Sequence, residues 1–415
     1  MTDPQTVSPA DEQASAAGKG PLRGVKVVEF AQVIAGPLAG TLMADLGAEV
    51  VHVEAPLVGD NARHMGPAKD GHHLWWKVLG RNKRSVTLDL GNPDARSLTD
   101  KLVQWADVVI VTFRSSTVKR FGLDWATVST TNPSAILLQI SGYGANTSNR
   151  DEPGFGKMGE ARSGLVHLTG FEDGAPIHTG FSHGDATTGL MGAFAVSAAL
   201  VRRNAYPERK GEWIDLALFE TLFRLVEWQV IIHDQLGAVP QRSGNSLAVA
   251  PAAVINTYRS ADDEWITVTS GTLRSVLNIV RLLGLDEAEY STREAQHAGR
   301  GFLDQQLAVW ISERSTSCAV EALQRAKVVA SKIYDIEDIF ADQTYRERDD
   351  IVTVTDADLG DVRMQGVIPH FAVNPGAVWR TGAALGEDND LVFGEWLDLD
   401  DTEMARLHQA GVIGD

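Results

Sequence analysis

The stretch HTGFSHGDATTGLMGAF, residues 178–194, places one acid, Asp185, among glycines and then runs into a small-residue apolar segment. A charged side chain at the mouth of a buried segment needs a partner or a chemical role. The residue types allow two readings. As a helix N-cap, Asp185 would accept N–H bonds from the first turn of ATTGLMGAF. As a nucleophile, it would attack a carbonyl carbon while N–H groups left uncovered around Gly180, Gly184 and Gly189 steady the oxyanion. A capping acid keeps an oxygen that can point outward, so the readings are compatible.

Other patterns carry less chemistry. Arg81, Lys83 and Arg84 cluster in GRNKRS directly before a strand, and Arg114, Lys119 and Arg120 in FRSSTVKRFG directly after another. Ligands of parallel sheets sit beyond the carboxyl ends of the strands, and two basic loops in an acidic protein suit a phosphorylated ligand. A solvated surface of ordinary ion pairs is the plainer alternative. Trp75 and Trp76 read more readily as helix anchors than as a stacking platform. His72 and His73 are adjacent rather than four apart, and neither HExxH nor GxSxG occurs, which argues against a metal site and a serine nucleophile. Glu54 ends a strand 18 residues after Gly36, as in dinucleotide-binding units. The corner AQVIAGPLAG nevertheless lacks the glycines that let a pyrophosphate approach the backbone.

The elements that must position these groups follow from periodicity. GVKVVEFAQVIAGPLAGTLMADLGAEVVHVEAP reads strand, Gly-Pro turn, helix, strand, with Pro37 suited to the first helical position and Gly47 closing the helix. SVTLDL, DVVIVTF and AILLQISGYG read as further strands, PDARSLTDKLVQWA as an amphipathic helix, and KGEWIDLALFETLFRLVEWQVI as a strand with one long helix. Such βαβ alternation implies a parallel sheet. From about residue 225 it loosens into a hairpin, AVINTYRSADDEWITVTS, and helices. The expected architecture is α/β: a Rossmann-like parallel-sheet large domain over residues 21–224 and 335–415, and a smaller α+β domain over 225–334.

Composition sets outer limits. With 415 residues, 44% hydrophobic and 22% charged, the chain is an ordinary globular one of two-domain length. A net charge of −18 argues against a nucleic-acid or anionic-membrane partner. An anionic ligand then requires a local basic pocket. Cys318 is the only cysteine, which excludes an intrachain disulfide and fits a cytoplasmic protein. Residues 1–20 read as a disordered polar tail without the features of a signal peptide. The apolar run GLMGAFAVSAALV is shorter than a bilayer span and is expected to be a core helix.

In their order, LRGVKVVEFAQVIAGPLAGTLMADLGAEVVHVEAP, RNKRSVTLDL, ADVVIVTFRSSTVKRFGLDW, ISGYG, PGFGKMGEARSGLVHLTG, GFSHGDATTGL, KIYDIEDIFADQTYRERD and GAALGEDND resemble the family III CoA-transferases, the formyl-CoA and carnitine-CoA transferase type. The resemblance runs along nearly the whole chain from Pro21. It implies that Asp185 matches the family's catalytic aspartate, which carries first the acyl group and then CoA. It implies a CoA thioester as substrate, with no tightly bound cofactor, and a free carboxylic acid as acceptor. Val33, Ile34, Leu88, Leu90 and Phe113 match positions that pack the nucleotide and pantetheine arm, and Arg120 matches a basic residue near the phosphates. The family's usual basic residue after the second strand is Ala55 here, and the asparagine before Phe113 is Thr112, so phosphate contacts are expected to lean on Arg81, Lys83, Arg84 or Arg114.

The resemblance further implies an interlocked ring homodimer, with a heteromer of paralogous subunits as the alternative. Glu160 stands where the family usually has glutamine and is expected, with Gly184, to support the substrate or the oxyanion. α-Methylacyl-CoA racemases share the scaffold, but the loop that carries their proton-moving histidine has Phe155 here. A CoA-binding subunit without activity is the other alternative, and the intact Asp185 motif argues against it. The region GNSLAVAPAAVINTYRS lacks the glycine-rich lid of oxalate enzymes. The expectation is a succinyl-CoA-type donor and an aromatic or branched dicarboxylic acceptor.

Overall fold

The computed structural model describes residues 18–247 and 249–414, so most of the tail expected at the start lies outside the described residues. The chain divides into two compact units. The larger comprises the described parts of Met1–Ser163, Thr179–Leu225 and Thr344–Asp415; the smaller comprises Gly164–His178 and Val226–Gln343.

Valine-rich runs with no polar face make strands that are buried on both sides. In the larger unit these are β1 (Lys26–Phe30), β2 (Glu49–Glu54), β3 (Lys83–Thr87), β4 (Val108–Val111), β5 (Ile136–Ser141) and β6 (Glu212–Ala217). All pair in parallel, in the order β3-β2-β1-β4-β5-β6. This is the doubly wound order, and its direction reverses between β1 and β4. Period-two alternation splits the strand residues between two cores. Val27, Val50, Ile110 and Leu138 pack beneath α1 (Ala35–Asp45) and a long helix at His183–Ala205. Val28, Val51, Val109 and Leu137 pack beneath α2 (Ala95–Trp105) and the C-terminal helix Asp401–Gln409.

The long helix starts six residues before the apolar run at Gly189 and spans 23 residues. Its length and composition would allow it to cross a membrane. Here Val196, Ala199 and Leu200 pack on the sheet. The expected long helix after β6 is two short ones, Glu220–Leu225 and Gln229–Leu236, and the boundary between units falls in the break.

The smaller unit holds β7 (Val254–Arg259), β8 (Trp265–Ser270) and β9 (Val329–Lys332) as an antiparallel sheet under helices Leu273–Leu282, Arg293–Ser312 and Thr316–Arg325. It extends beyond residues 225–334 in both directions. Arg242 donates to the carbonyls of His167 and Gly174, which ties Gly164–His178 to this unit. Lys332 pairs with Asp338, which holds the chain there until Gln343.

The parallel register places the GRNKRS cluster at the amino end of β3, level with the start of β2. Arg81 is 6% exposed and grips Asp45 through Nε and Nη2 at 3.1 and 2.5 Å, while Nη1 donates to the Gln365 carbonyl. Lys83 is 2% exposed, with Nζ 2.6 Å from both Glu29 Oε1 and the Pro37 carbonyl. Arg84 pairs with Asp388 and lies over Trp379. These cations are therefore engaged inside the protein, a correction to their expected role at a phosphate. Removing one partner of a buried pair strands the other charge, so Arg81→Leu should lower unfolding stability by about 3–5 kcal/mol. Urea denaturation measures it; a midpoint within error of wild type would show that the guanidinium is dispensable to the fold.

Candidate active site

The reversal between β1 and β4 leaves a crevice at the carboxyl ends of the strands, where doubly wound sheets take their ligands. A cavity of about 390 Å3 occupies it. The segment after β1 contributes Gln32, Val33 and Ile34; the segment after β4 contributes Thr112, Phe113 and Arg114; the end of β5 contributes Ser141, followed by Gly142. Arg150, Glu152, Phe155 and Asp185 are among the other residues that line it. Thr112 Oγ1 accepts from the Gln32 N–H at 3.1 Å, linking the first two segments across the crevice.

Asp185 is not the N-cap. Ser182 holds that position without a side-chain cap bond, and Asp185 is the third residue of α4, the helix His183–Ala205. Its approach is set by α3 (Gly156–Arg162). A Cβ on Gly156 would lie 2.5 Å from the Asp185 carboxyl carbon, and one on Gly184 would lie 3.0 Å from the Gly156 carbonyl carbon. Only two bare backbones can come this close with a carboxylate between them. Among the described residues, no group donates a hydrogen bond to that carboxylate. Burial pushes its pKa up, the charge of Glu160 adds to the rise, and Lys157 opposes it; the result is about 6. Helix position favours a negative charge here, but desolvation outweighs it.

Glu160 is fully buried. Its carboxylate binds Lys157 Nζ at 3.0 Å and accepts the Gly184 N–H at 3.1 Å. Lys157 Nζ also donates to the carbonyls of Thr179 and Phe181. The Gly184 N–H is thus occupied by Glu160. Both residues fix the start of α4, where they had been expected to face substrate. A part-buried acid with a raised pKa in a cavity is a candidate functional group.

The profile of CoA-transferase family III matches residues 22–389. A succinyl-CoA–D-citramalate CoA-transferase of Chloroflexus aurantiacus is 34% identical, over 95% of this chain and 98% of its own length. The beta subunit of a succinyl-CoA–L-malate CoA-transferase from the same organism is 31% identical, over 95% and 98%. The crystal structure of a CaiB/BaiF family protein from Brucella suis superimposes with a TM-score of 0.80 at 29% identity, over 92% of this chain and all of that one. This chain belongs to CoA-transferase family III. It is an enzyme of that class, and CoA thioesters are the substrates of the class.

The expected contact residues of this CoA-transferase separate into three groups. Val33, Ile34, Phe113 and Arg114 share the cavity with Asp185. Leu90 and Arg120 line a second cavity of about 600 Å3 with Asn92, Arg96 and Phe121. The rings of Phe113 and Phe121 meet edge-on at 5.6 Å, so one aromatic pair borders both spaces. Leu88 is buried in the sheet core with its N–H on the Glu54 carbonyl and reaches neither. Trp76 is a core residue, its Nε1 donating to the Ala383 carbonyl. Three features escaped the sequence reading. Gly156 gives the carboxylate its room. Arg150 is a second guanidinium at the cavity. Val33 has φ 66°, a left-handed conformation that costs a β-branched residue about 1–3 kcal/mol. Only Gly156, in its glycine-rich loop, left a trace in the sequence.

A carboxyl whose folded pKa is near 6 instead of 3.8 destabilises the fold once it is ionised. The penalty begins as the unfolded chain ionises above pH 3.8 and is complete above pH 6. Asp185→Asn should therefore be more stable than wild type at pH 7.5, by roughly 1–3 kcal/mol, with the difference vanishing toward pH 3.5. Thermal melts across that range test it; a difference that grows on acidification would mean that the ionised carboxylate is stabilised instead.

Proposed function

We propose that this CoA-transferase works by covalent catalysis at Asp185. The carboxylate attacks the donor thioester carbonyl, forming a mixed anhydride and releasing CoA thiolate. The thiolate then attacks the Asp185 carbonyl, giving an aspartyl-CoA thioester and the free donor acid. The acceptor carboxylate attacks that thioester, releasing thiolate and forming a second anhydride. The thiolate takes its acyl carbon, and the Asp185 carboxylate leaves unchanged. Each step exchanges one acyl bond for another, so thioester energy is kept provided water is excluded.

The observation that carries this reading is the Asp185 carboxylate lying undonated on bare Gly156, in the cavity at the sheet reversal. Poor solvation raises its nucleophilicity, and Glu160 beside it disfavours a resting charge. Phe155, also at the cavity, offers no titratable proton, in keeping with transfer rather than racemisation. Arg114 and Arg150 are exposed cations on the cavity wall and suit the anionic groups of an acyl-CoA. Arg120 and Arg96 suit its distal phosphate in the neighbouring cavity. Succinyl-CoA is the proposed donor, and a branched or hydroxylated dicarboxylic acid the acceptor, because the relatives named above act on D-citramalate and L-malate.

Hydroxylamine added during turnover with succinyl-CoA should leave a hydroxamate on the peptide carrying Asp185, seen by mass spectrometry and absent from Asp185→Asn. Transfer to malate or citramalate should fall by three orders of magnitude or more in that variant, as expected for loss of a nucleophile. An unlabelled wild type, or a fully active variant, refutes the covalent route.

We also propose that two chains assemble. Leu190, Phe194 and Val201 on α4 are 60–71% exposed, an apolar stripe of the kind that marks protein interfaces. A second copy is the proposed partner, and the subunit naming of the malate enzyme makes a paralogous chain the alternative. Sedimentation equilibrium of the purified chain should give twice its mass. An active monomer would contradict the assembly.

A further inference from the structure

The corner that forms the cavity wall is held from behind by a buried chain of charges. The Val33 N–H donates to both oxygens of Asp60, at 2.9 and 3.0 Å. Asp60 also accepts from the Ala62 N–H, and its own N–H donates to Glu54 Oε2. His52, on β2, sits between Asp60 and Glu29: Nδ1 is 2.6 Å from Glu29 Oε1, and Nε2 is 3.3 Å from Asp60 Oδ2. Glu29 in turn receives Lys83 Nζ, which also binds the Pro37 carbonyl. The network therefore grips the corner at both ends, Val33 through Asp60 and Pro37 through Lys83.

Charge balance favours a cationic His52. Glu29, Glu54 and Asp60 are three buried carboxylates; Lys83 and Arg63 supply two cations. A third is needed, and His52, 1% exposed with a carboxylate at each ring nitrogen, is placed to provide it. A neutral imidazole would turn a lone pair toward one of those carboxylates. The Trp76 ring also lies against it, at 5.6 Å between centroids.

We infer that His52, as an imidazolium bridging Glu29 and Asp60, is a positioning residue that holds the strained Val33 corner in the shape the acyl-CoA requires. His52 does not line the cavity; it acts through Asp60. Loss of its proton leaves Asp60 and Glu29 facing each other across a neutral ring, and the Val33 N–H loses a fixed acceptor. Ligand affinity should suffer before the chemistry at Asp185 does. This inference rests on the cavity being the acyl-CoA site.

Burial alone would lower the His52 pKa, but Glu29 and Asp60 together raise it to about 9. The raised value means that the grip is complete below pH 6.5 and is lost as pH climbs through about 9. Glu29, Asp60 and Glu54 are the acids that face His52, while Lys83 and Arg63 are the cations paired with those acids.

Calorimetric titration of wild type with acetyl-CoA, alongside KM and kcat for succinyl-CoA, should show Kd and KM rising about tenfold between pH 7.5 and 10 with a midpoint near 9, and kcat changing less. His52→Gln should show the weak affinity already at pH 7.5, with no further alkaline loss. His52→Lys, which keeps a cation, should restore affinity at pH 7.5 and move the loss to higher pH. A flat wild-type profile through pH 9, or a folded His52→Gln with wild-type Kd, overturns the inference. The wild-type profile decides the matter if His52→Gln does not fold. A wild type that fails to bind acetyl-CoA at pH 7.5 instead overturns the assignment of the cavity, and His52's role with it.

Discussion

A carboxylate inside a protein is quiet when donors surround it and reactive when they do not, and this molecule builds both cases within one crevice. Glu29, Glu54 and Asp60 are buried and each is met by cations or N–H groups. Asp185 is met by the bare Cα of Gly156 and the field of a second acid. The nearest cation, Lys157, is held by Glu160 and two carbonyls. The same elementary cost, desolvation of a charge, is offset at the back of the corner and left standing at the front. The fold must supply enough stability elsewhere to carry that imbalance, and the two apolar cores of the sheet are what supply it.

The sheet order decides where these two environments fall. Because the winding reverses between β1 and β4, a cavity opens at the carboxyl ends of those strands, bridged by the Gln32–Thr112 hydrogen bond. Val33 adopts a strained conformation in that gap and Asp185 enters it from α4. A strained corner is useful only if it is rigid, since a backbone free to relax would no longer present one shape to a ligand. The charges buried behind it supply fixed acceptors at Val33 and Pro37, and Thr112 adds one at Gln32 from the cavity side.

Much of this was legible in the sequence. Valine runs, the Gly-Pro corner and Gly47 marked β1, α1 and β2 because local periodicity and turn chemistry agree with the tertiary fold there. Asp185 stood out because an acid before an apolar helix conflicts with simple burial. What was not legible depends on direction and on distance. Arg81 and Lys83 look like ligand-binding cations in one dimension, but their place at the amino end of β3 carries them into ion pairs with Asp45 and Glu29. Their partners lie 36 and 54 positions away in the chain. Gly156 owes its importance to a helix that begins 27 residues later, and the left-handed Val33 breaks the rule that such positions belong to glycine.

The distribution of positive charge follows from the same geometry. The chain carries a net charge of −18, so its overall field repels an acyl-CoA at long range. Capture must then come from cations close enough to act within a screening length of about 8 Å at physiological salt. Such cations have to stand at the surface; Arg114 and Arg150 do so on loops at the carboxyl end of the sheet, and Arg120 at the end of the helix Ser115–Arg120. A cation spent internally cannot serve twice: the 2.6 Å contacts that let Lys83 fix the Pro37 corner also remove it from solvent. On the proposed reading the division of labour is imposed by burial, with arginine at the rim to attract and lysine and histidine beneath to hold the shape.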